Sequence, residues 1–197
     1  MGRLKVALAS SNKGKLRELE ALFPEWEIEP FVADYPEETG KTFHDNARSK
    51  AQFARGLVPA EVLVLGEDSG LEVDALGGRP GVRSARFAGP HATDEDNVEL
   101  LLRELEGVPD DARGARYISE LVLLAPQDER RGAGRLEGRI GTEPRGSEGF
   151  GYDPVFVPAE YERTVAELGD AWKRENSHRA RAAKALLAAV GKMPGAV

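Results

Sequence analysis

The spacing of apolar residues changes several times along the chain, and each change marks an element. Leu4 to Ala9 is a short apolar run, which predicts a buried strand. Ser10-Ser11-Asn12 interrupts it with capping residues, and Leu16, Leu19 and Leu22 then recur at helical spacing across Lys13 to Phe23. Trp26 to Val32 reads as a second strand and Thr42 to Leu57 as a helix. Val62 to Leu65 is a compact strand that ends in Gly66-Glu67-Asp68-Ser69. Leu71 to Leu76 continues as strand before the turn Gly77-Gly78-Arg79-Pro80-Gly81.

Thr93 opens another helix, with Asp96 as its capping-box partner and the Leu100–Leu105 cluster beyond. Arg116 to Leu124 and Arg135 to Gly141 read as strands of a more exposed sheet. Gly146 to Asp153 is a glycine-rich loop, Val155 to Val157 a short strand, and Ser177 to Val190 an alanine-rich helix ending before Gly191. No linker, repeat or low-complexity tract divides the 197 residues. The expectation is a single α/β domain over 1–197, with room for two lobes and a cleft.

Composition narrows the partners. The net charge of −7 argues against a nucleic-acid polymer, which needs a positive field facing its phosphates. With no cysteine, thiolate metal sites, disulfides and a cysteine nucleophile are excluded. No apolar run is long enough to cross a membrane and no signal-peptide pattern opens the chain, so a soluble, cytoplasmic protein is expected. Only 8 of the 27 basic residues are lysine, so those that remain mark positions to inspect.

Four of those lysines sit oddly. Lys13 and Lys15, with Arg17, crowd the start of the first predicted helix, where the helix dipole favours acids. A strand, a short polar turn and a helix start lined with lysine form an anion site in physical terms; a solvated basic face is the alternative. Lys173, Arg174, His178 and Arg179 surround Ser177 in the same way, and the pair of inversions points to one polyanionic ligand. Lys50 lies on the apolar stripe of Phe43, Ala47, Ala54 and Leu57, one turn after Asn46. There it must snorkel, find a partner or reach into a cleft.

Adjacent carboxylates at the end of a buried strand, Glu67-Asp68, are well placed for a hard divalent ion such as Mg²⁺. Glu37-Glu38 could add a ligand or form a solvated turn. In Gly149-Phe150-Gly151-Tyr152-Asp153 an aromatic could cover a base face, or Phe150 and Tyr152 could sit in the core. The P-loop, the Rossmann glycine pattern and the GxSxG elbow are all absent.

Taken in order, these segments resemble a known family, the inosine/xanthosine triphosphate pyrophosphatases that act on non-canonical purine nucleotides. The matching stretches are Ser10-Ser11-Asn12-Lys13-Gly14-Lys15 with Glu18; Glu38-Thr39-Gly40, Asn46-Ala47 and Lys50-Ala51; and Glu67-Asp68-Ser69-Gly70-Leu71. They continue through Ala75 to Gly81, Ser84 to Gly89, Gly149 to Pro154, and Ser177-His178-Arg179. The resemblance implies an elongated mixed β-sheet flanked by helices, with an active-site cleft between two lobes, and a homodimer. It implies hydrolysis of ITP, dITP and XTP to the monophosphate and pyrophosphate with Mg²⁺.

By the same resemblance Ser10, Ser11, Asn12, Lys13, Gly14, Lys15 and Lys50 hold phosphates and Ser69 contacts substrate. Phe150, Gly151, Tyr152, Asp153, Lys173, His178 and Arg179 hold the nucleotide. Glu38, Glu67 and Asp68 take the metal, and Asp68 also acts as general base. Ser10-Ser11 stands where the family often has Thr-Gly, and Glu67 where it often has Asp. Two other readings are a pyrimidine-directed, septum-inhibitor-like pyrophosphatase and a nucleotide-binding regulator without turnover.

Overall fold

The computed structural model describes residues 3–191. In chain order the elements are β1 (Leu4–Leu8), α1 (Lys13–Leu22), β2 (Trp26–Pro30), α2 (Phe43–Arg55), β3 (Leu63–Val73), α3 (Asp94–Glu104), β4 (Gly114–Ala125), β5 (Asp128–Ile140), β6 (Phe156–Pro158), α4 (Val165–Asn176) and α5 (His178–Val190). The six strands form one mixed sheet in the order β2-β1-β3-β4-β5-β6. β1 pairs in parallel with β2 and with β3, whereas β5 and β6 are antiparallel.

The chain divides into two compact units, each discontinuous in sequence. One comprises Met1–Asp68, Ser119–Gly134 and His178–Val197, the other Ser69–Ile118 and Arg135–Ser177. The interleaving follows from strand length, because β3, β4 and β5 each begin in one unit and end in the other.

In the first unit the central strands β3 and β4 carry apolar residues on both sides, as strands covered by helices on both faces must. Leu121 and Leu123 of β4 join Val6, Leu8 and Leu65 beneath Leu19 of α1, Phe23 just after it, and Ala182, Ala183 and Leu186 of α5. Val122 and Leu124 alternate to the opposite cluster, with Ala9 and Val64 under Ala47, Ala51 and Ala54 of α2. Small residues set how close α2 comes: a Cβ on Gly66 would overlap the Ala47 carbonyl oxygen and lie 2.8 Å from Ala51 Cβ.

The second unit buries one sheet face. Leu71, Val73, Ala115, Tyr117, Leu136, Ile140 and Phe156 pack with Val98 and Leu101 of α3, with Leu105 just after it, and with Val165 of α4. Arg113 is buried here, and its guanidinium donates to the carbonyls of Ile140 (2.8 Å), Leu105 (2.9 Å) and Gly141 (2.8 Å). The opposite residues of the same strands, including Glu72, Arg116, Arg135 and Glu137, form solvated ion pairs.

Three sequence expectations need correction. The two strands expected at Val62–Leu65 and Leu71–Leu76 are one strand, β3, because backbone pairing continues through the polar Glu67 and Asp68. It ends at Val73, and Asp74–Leu76 forms a 3-10 turn. β4 and β5 extend beyond the expected Arg116–Leu124 and Arg135–Gly141, since charged and glycine residues hide the ladder from Asp128 to Arg135. α4 is absent from the sequence expectation. Its Thr164–Glu167 capping box was the available signal, masked by Gly169, which breaks the helical run at φ 81°.

Gly66→Ala should lower stability by about 1–3 kcal/mol, the usual penalty for forcing bulk into a packed interior. Gly56→Ala, at φ −70° with nothing nearer than 3.5 Å, should leave stability unchanged or slightly raised. Thermal denaturation of the two variants checks the contrast.

Candidate active site

The β1–α1 turn brings the first cation to the carboxylates. Leu8 of β1 pairs with Leu65 of β3, and the Ala9 N–H donates to the Leu65 carbonyl at 2.8 Å. β1 therefore stops where β3 runs on into Glu67 and Asp68. Asn12 caps α1 by accepting from the Lys15 N–H at 3.0 Å, and no acid occupies the first turn. Lys15 then places its Nζ 2.7 Å from Glu67 Oε2 and 3.9 Å from Asp68 Oδ1.

α2 supplies the second cation. Lys50 Nζ lies 2.7 Å from Glu38 Oε1 and 3.5 Å from Asp68 Oδ1. Of the outcomes open to a lysine on an apolar stripe, pairing is the one observed. Asn46, one turn earlier, donates from Nδ2 to Asp68 Oδ2 at 3.1 Å. α5 supplies the third cation: Arg179 is 2% exposed, with Nε and Nη2 each 3.2 Å from Glu67 Oε1 and Nη1 on Glu18. Four carboxylates thus meet three cations within the first unit.

These contacts drive neighbouring carboxylates apart in acidity. Burial alone would raise Glu67, but Lys15, Arg179 and Lys50 outweigh it and hold the group well below the usual range. Asp68 moves the other way, raised by burial against the pull of Lys50 and Lys15 and reinforced by Glu67 and Glu38. Burial lowers Lys50, yet Asp68, Glu38 and Glu67 more than restore it, so its ammonium stays charged. Two adjacent carboxylates with divergent proton affinities are the arrangement expected of an acid–base site.

The other expected residues fall as follows. Ser10 is half-buried and accepts from the Asn12 N–H at 3.2 Å; Ser11, Asn12 and Lys13 are exposed at the start of α1, and Gly14 is buried in its first turn. Ser69 is half-buried on β3, immediately after Asp68. His178 and Arg179 are buried at the start of α5.

In the second unit, Asp153 organises its own cluster. It accepts from Tyr117 Oη at 3.1 Å, the Phe150 N–H at 3.0 Å and Lys173 Nζ at 2.6 Å. The Lys173 ammonium also stands 4.8 Å from the Phe150 ring centroid, within cation–π range. Gly151 donates to Asp94 at 2.7 Å. Tyr152 is buried in the core with its hydroxyl on the Ser84 carbonyl at 2.8 Å, so the core alternative holds for Tyr152, while Phe150 stays half-buried.

The geometry departs from the sequence expectation at two points. Glu67 and Asp68 do not close a strand; they lie inside β3, and β1 is the strand that ends beside them. Lys173 and Arg174 are not at the wrong end of a helix, because they occupy the last turn of α4, where cations suit the dipole. Arg179 lies at a helix start but faces carboxylates. Tyr117 and the partner role of Glu18 escaped sequence reasoning. Glu18 follows Lys15 by one helical turn, the spacing of side chains that share a helix face, and that was the only local signal.

Among the described residues no group of three or more His, Asp or Glu side chains is close enough to hold a metal ion as they stand. Instead the ammonium groups of Lys15 and Lys50 lie between the carboxylates of Glu67, Asp68 and Glu38. Hard carboxylate oxygens converging on positive charge are the donor type Mg²⁺ selects, so the residues fit a divalent ion in chemistry.

The Ham1 family model matches residues 6–189. A dITP/XTP pyrophosphatase of Shouchella clausii is 45% identical over 187 residues, covering 92% of this chain and 93% of its own length. Among solved structures, the Staphylococcus aureus Ham1 protein superposes with a TM-score of 0.83 at 34% identity, covering 95% of this chain and 98% of its own. A HAM1 protein from Coxiella burnetii gives 0.82 at 37% identity, covering 96% and 100%.

Because Glu67 releases its proton more readily folded than unfolded, its stabilisation is complete above the ordinary glutamate value of 4.5. It is lost as pH falls from there toward the lower folded value. Urea denaturation between about pH 6 and about pH 3 should show stability falling with acid. Glu67→Gln should be less stable near neutrality and flatter across that range.

Proposed function

This chain belongs to the Ham1 family, and we propose that it hydrolyses non-canonical purine nucleoside triphosphates (ITP, dITP and XTP) to the monophosphate and pyrophosphate. The observation that carries this reading is Asp68, raised in proton affinity and set between Lys15 and Lys50 beside the β1–α1 turn. A carboxylate whose proton affinity is raised accepts a proton from water better than one whose affinity is lowered by a tight ion pair.

Water attacks the α-phosphorus, its proton passes to Asp68, and the bond from that phosphorus to the bridging oxygen breaks. Pyrophosphate leaves. Ser10 to Lys15, at a helix N-terminus without acids, cradle the phosphates, and Lys50 adds charge as the leaving group develops. Glu38, Glu67 and Asp68 would hold Mg²⁺, which supplies positive charge to the phosphate oxygens. Glu67 remains ionised throughout, as a ligand must, while Arg179 and Glu18 keep it in place.

In the same reading, Phe150 covers the base and Lys173, held by Asp153, offers a fixed donor to a 6-oxo group. Adenine presents an amino donor at that position and leaves the ammonium unmatched, a penalty that reaches ~10⁴-fold in favourable sites. Tyr152 shapes the loop through Ser84, and Ser69, Gly151 and His178 line the nucleotide. The enzyme would act on free nucleotides as a cytoplasmic homodimer. No helix among the described residues is long and apolar enough to cross a membrane.

A triphosphate panel with Mg²⁺, scored for monophosphate plus pyrophosphate, tests the proposal. ITP, dITP and XTP should lead. Preference for UTP or TTP, or tight ITP binding without product, would overturn it. Asp68→Asn should lower turnover roughly 10²–10⁴-fold with the fold retained.

A further inference from the structure

Asn46 is 1% exposed and stands with Phe43, Ala47, Ala51 and Ala54 on the buried side of α2. Packing alone favours an apolar residue there, since an amide buried without partners costs about 1–3 kcal/mol. Both ends of this amide are used. Oδ1 accepts from the Gly40 N–H at 2.9 Å, and Nδ2 donates to Asp68 Oδ2 at 3.1 Å. The orientation follows from chemistry: a backbone N–H only donates, so the carbonyl end must face Gly40. The NH₂ end is left for the carboxylate.

Gly40 belongs to the same device. A Cβ at this position would overlap Asn46 Oδ1 and lie 2.9 Å from Asp45 Cβ, so the missing side chain is what admits the contact. Two residues earlier, Glu38 pairs with Lys50, and Lys50 also faces Asp68 Oδ1. The two oxygens of Asp68 thus have different neighbours. Oδ2 is taken by Asn46, and Oδ1 faces the two ammonium groups.

We propose that Asn46 is a positioning residue: its amide ties the Glu38–Gly40 segment to Asp68 Oδ2, presenting Oδ1 as the working oxygen with Glu38 held beside it. The inference deepens the function proposed above and rests on it. A carboxylate free to rotate exchanges its oxygens, whereas an anchored one offers a single oxygen in one direction. Abstraction of a proton from a positioned water requires the second condition. Asn46 acts through Asp68 and touches no substrate.

The test uses Asn46→Ala, Asn46→Asp and Gly40→Ala, together with Asn46→Ala combined with Asp68→Asn. Asn46→Ala should lower kcat for ITP roughly 10–100-fold while KM stays within about threefold. Asn46→Asp keeps the acceptor for Gly40 but sets carboxylate against carboxylate, and should lose at least as much. Gly40→Ala should lose kcat in the same sense, although its new methyl meets Asn46 and Asp45; if Asn46→Ala does not fold, Gly40→Ala carries the same expectation. In the Asp68→Asn background, Asn46→Ala should change kcat by less than about twofold.

Urea midpoints of Asn46→Ala and Asp68→Asn should fail to add, a readout independent of turnover. Wild-type kcat in Asn46→Ala, or an equal loss in both backgrounds with additive midpoints, would overturn the proposal. Were the wild type to turn over no triphosphate, the proposed function would fall, and the midpoint cycle would decide whether Asn46 anchors Asp68.

Discussion

Burying the charge of Glu67 is the costly step in this fold, and much of the first unit is arranged around it. A carboxylate inside a sheet with no exposure loses its hydration, and the lost free energy returns only if cations meet it at hydrogen-bonding distance. Lys15 arrives from α1 and Arg179 from α5, elements at opposite ends of the sequence. Both helices must therefore lie over the same part of the sheet, and the shared cluster of Leu19, Phe23, Ala182, Ala183 and Leu186 holds them there. Glu18 then balances the part of the guanidinium that Glu67 does not engage.

Close approach makes these distances reachable. Alanines on α2 and Gly66 on β3 let the helix backbone settle against the strand, which carries Asn46 and Lys50 to Asp68. On the other side Gly132 and Gly134 of β5 leave no room for side chains beneath α5, where a Cβ at either position would meet the helix backbone. Larger residues at these points would move the helices outward by a fraction of the span of a hydrogen bond. The polar contacts would weaken before the apolar core did. The second unit solves a similar problem once, around Asp153, where Tyr117, Lys173 and the Phe150 N–H share one carboxylate.

Most elements were legible from local pattern. The leucine spacing of α1, the Thr93–Asp96 capping box of α3 and the alanine-rich α5 sit close to where the sequence reading placed them. The failures share a cause. β3 was split and α4 overlooked because polar or glycine residues broke a hydropathy pattern that backbone hydrogen bonding and capping carried through. Without α4, the pattern sets Lys173 against a helix start, whereas it occupies the last turn of α4 and pairs with Asp153.

Local pattern suffices for the ingredients: which residues are chemically unusual for their place, such as Lys50 on an apolar stripe and lysines at the start of α1. It also determined the class of fold, because buried strands and amphipathic helices announce themselves within a dozen residues. The pairing was decided only by tertiary structure. Glu67 and Arg179 are 112 residues apart, and no local rule says that one neutralises the other. Nor could spacing tell that Asp68 would be raised while Glu67 is lowered, since the divergence comes from how burial and nearby cations balance at each in the folded chain. Proton affinity depends on distance and burial, and both are properties of the assembled sheet and helices.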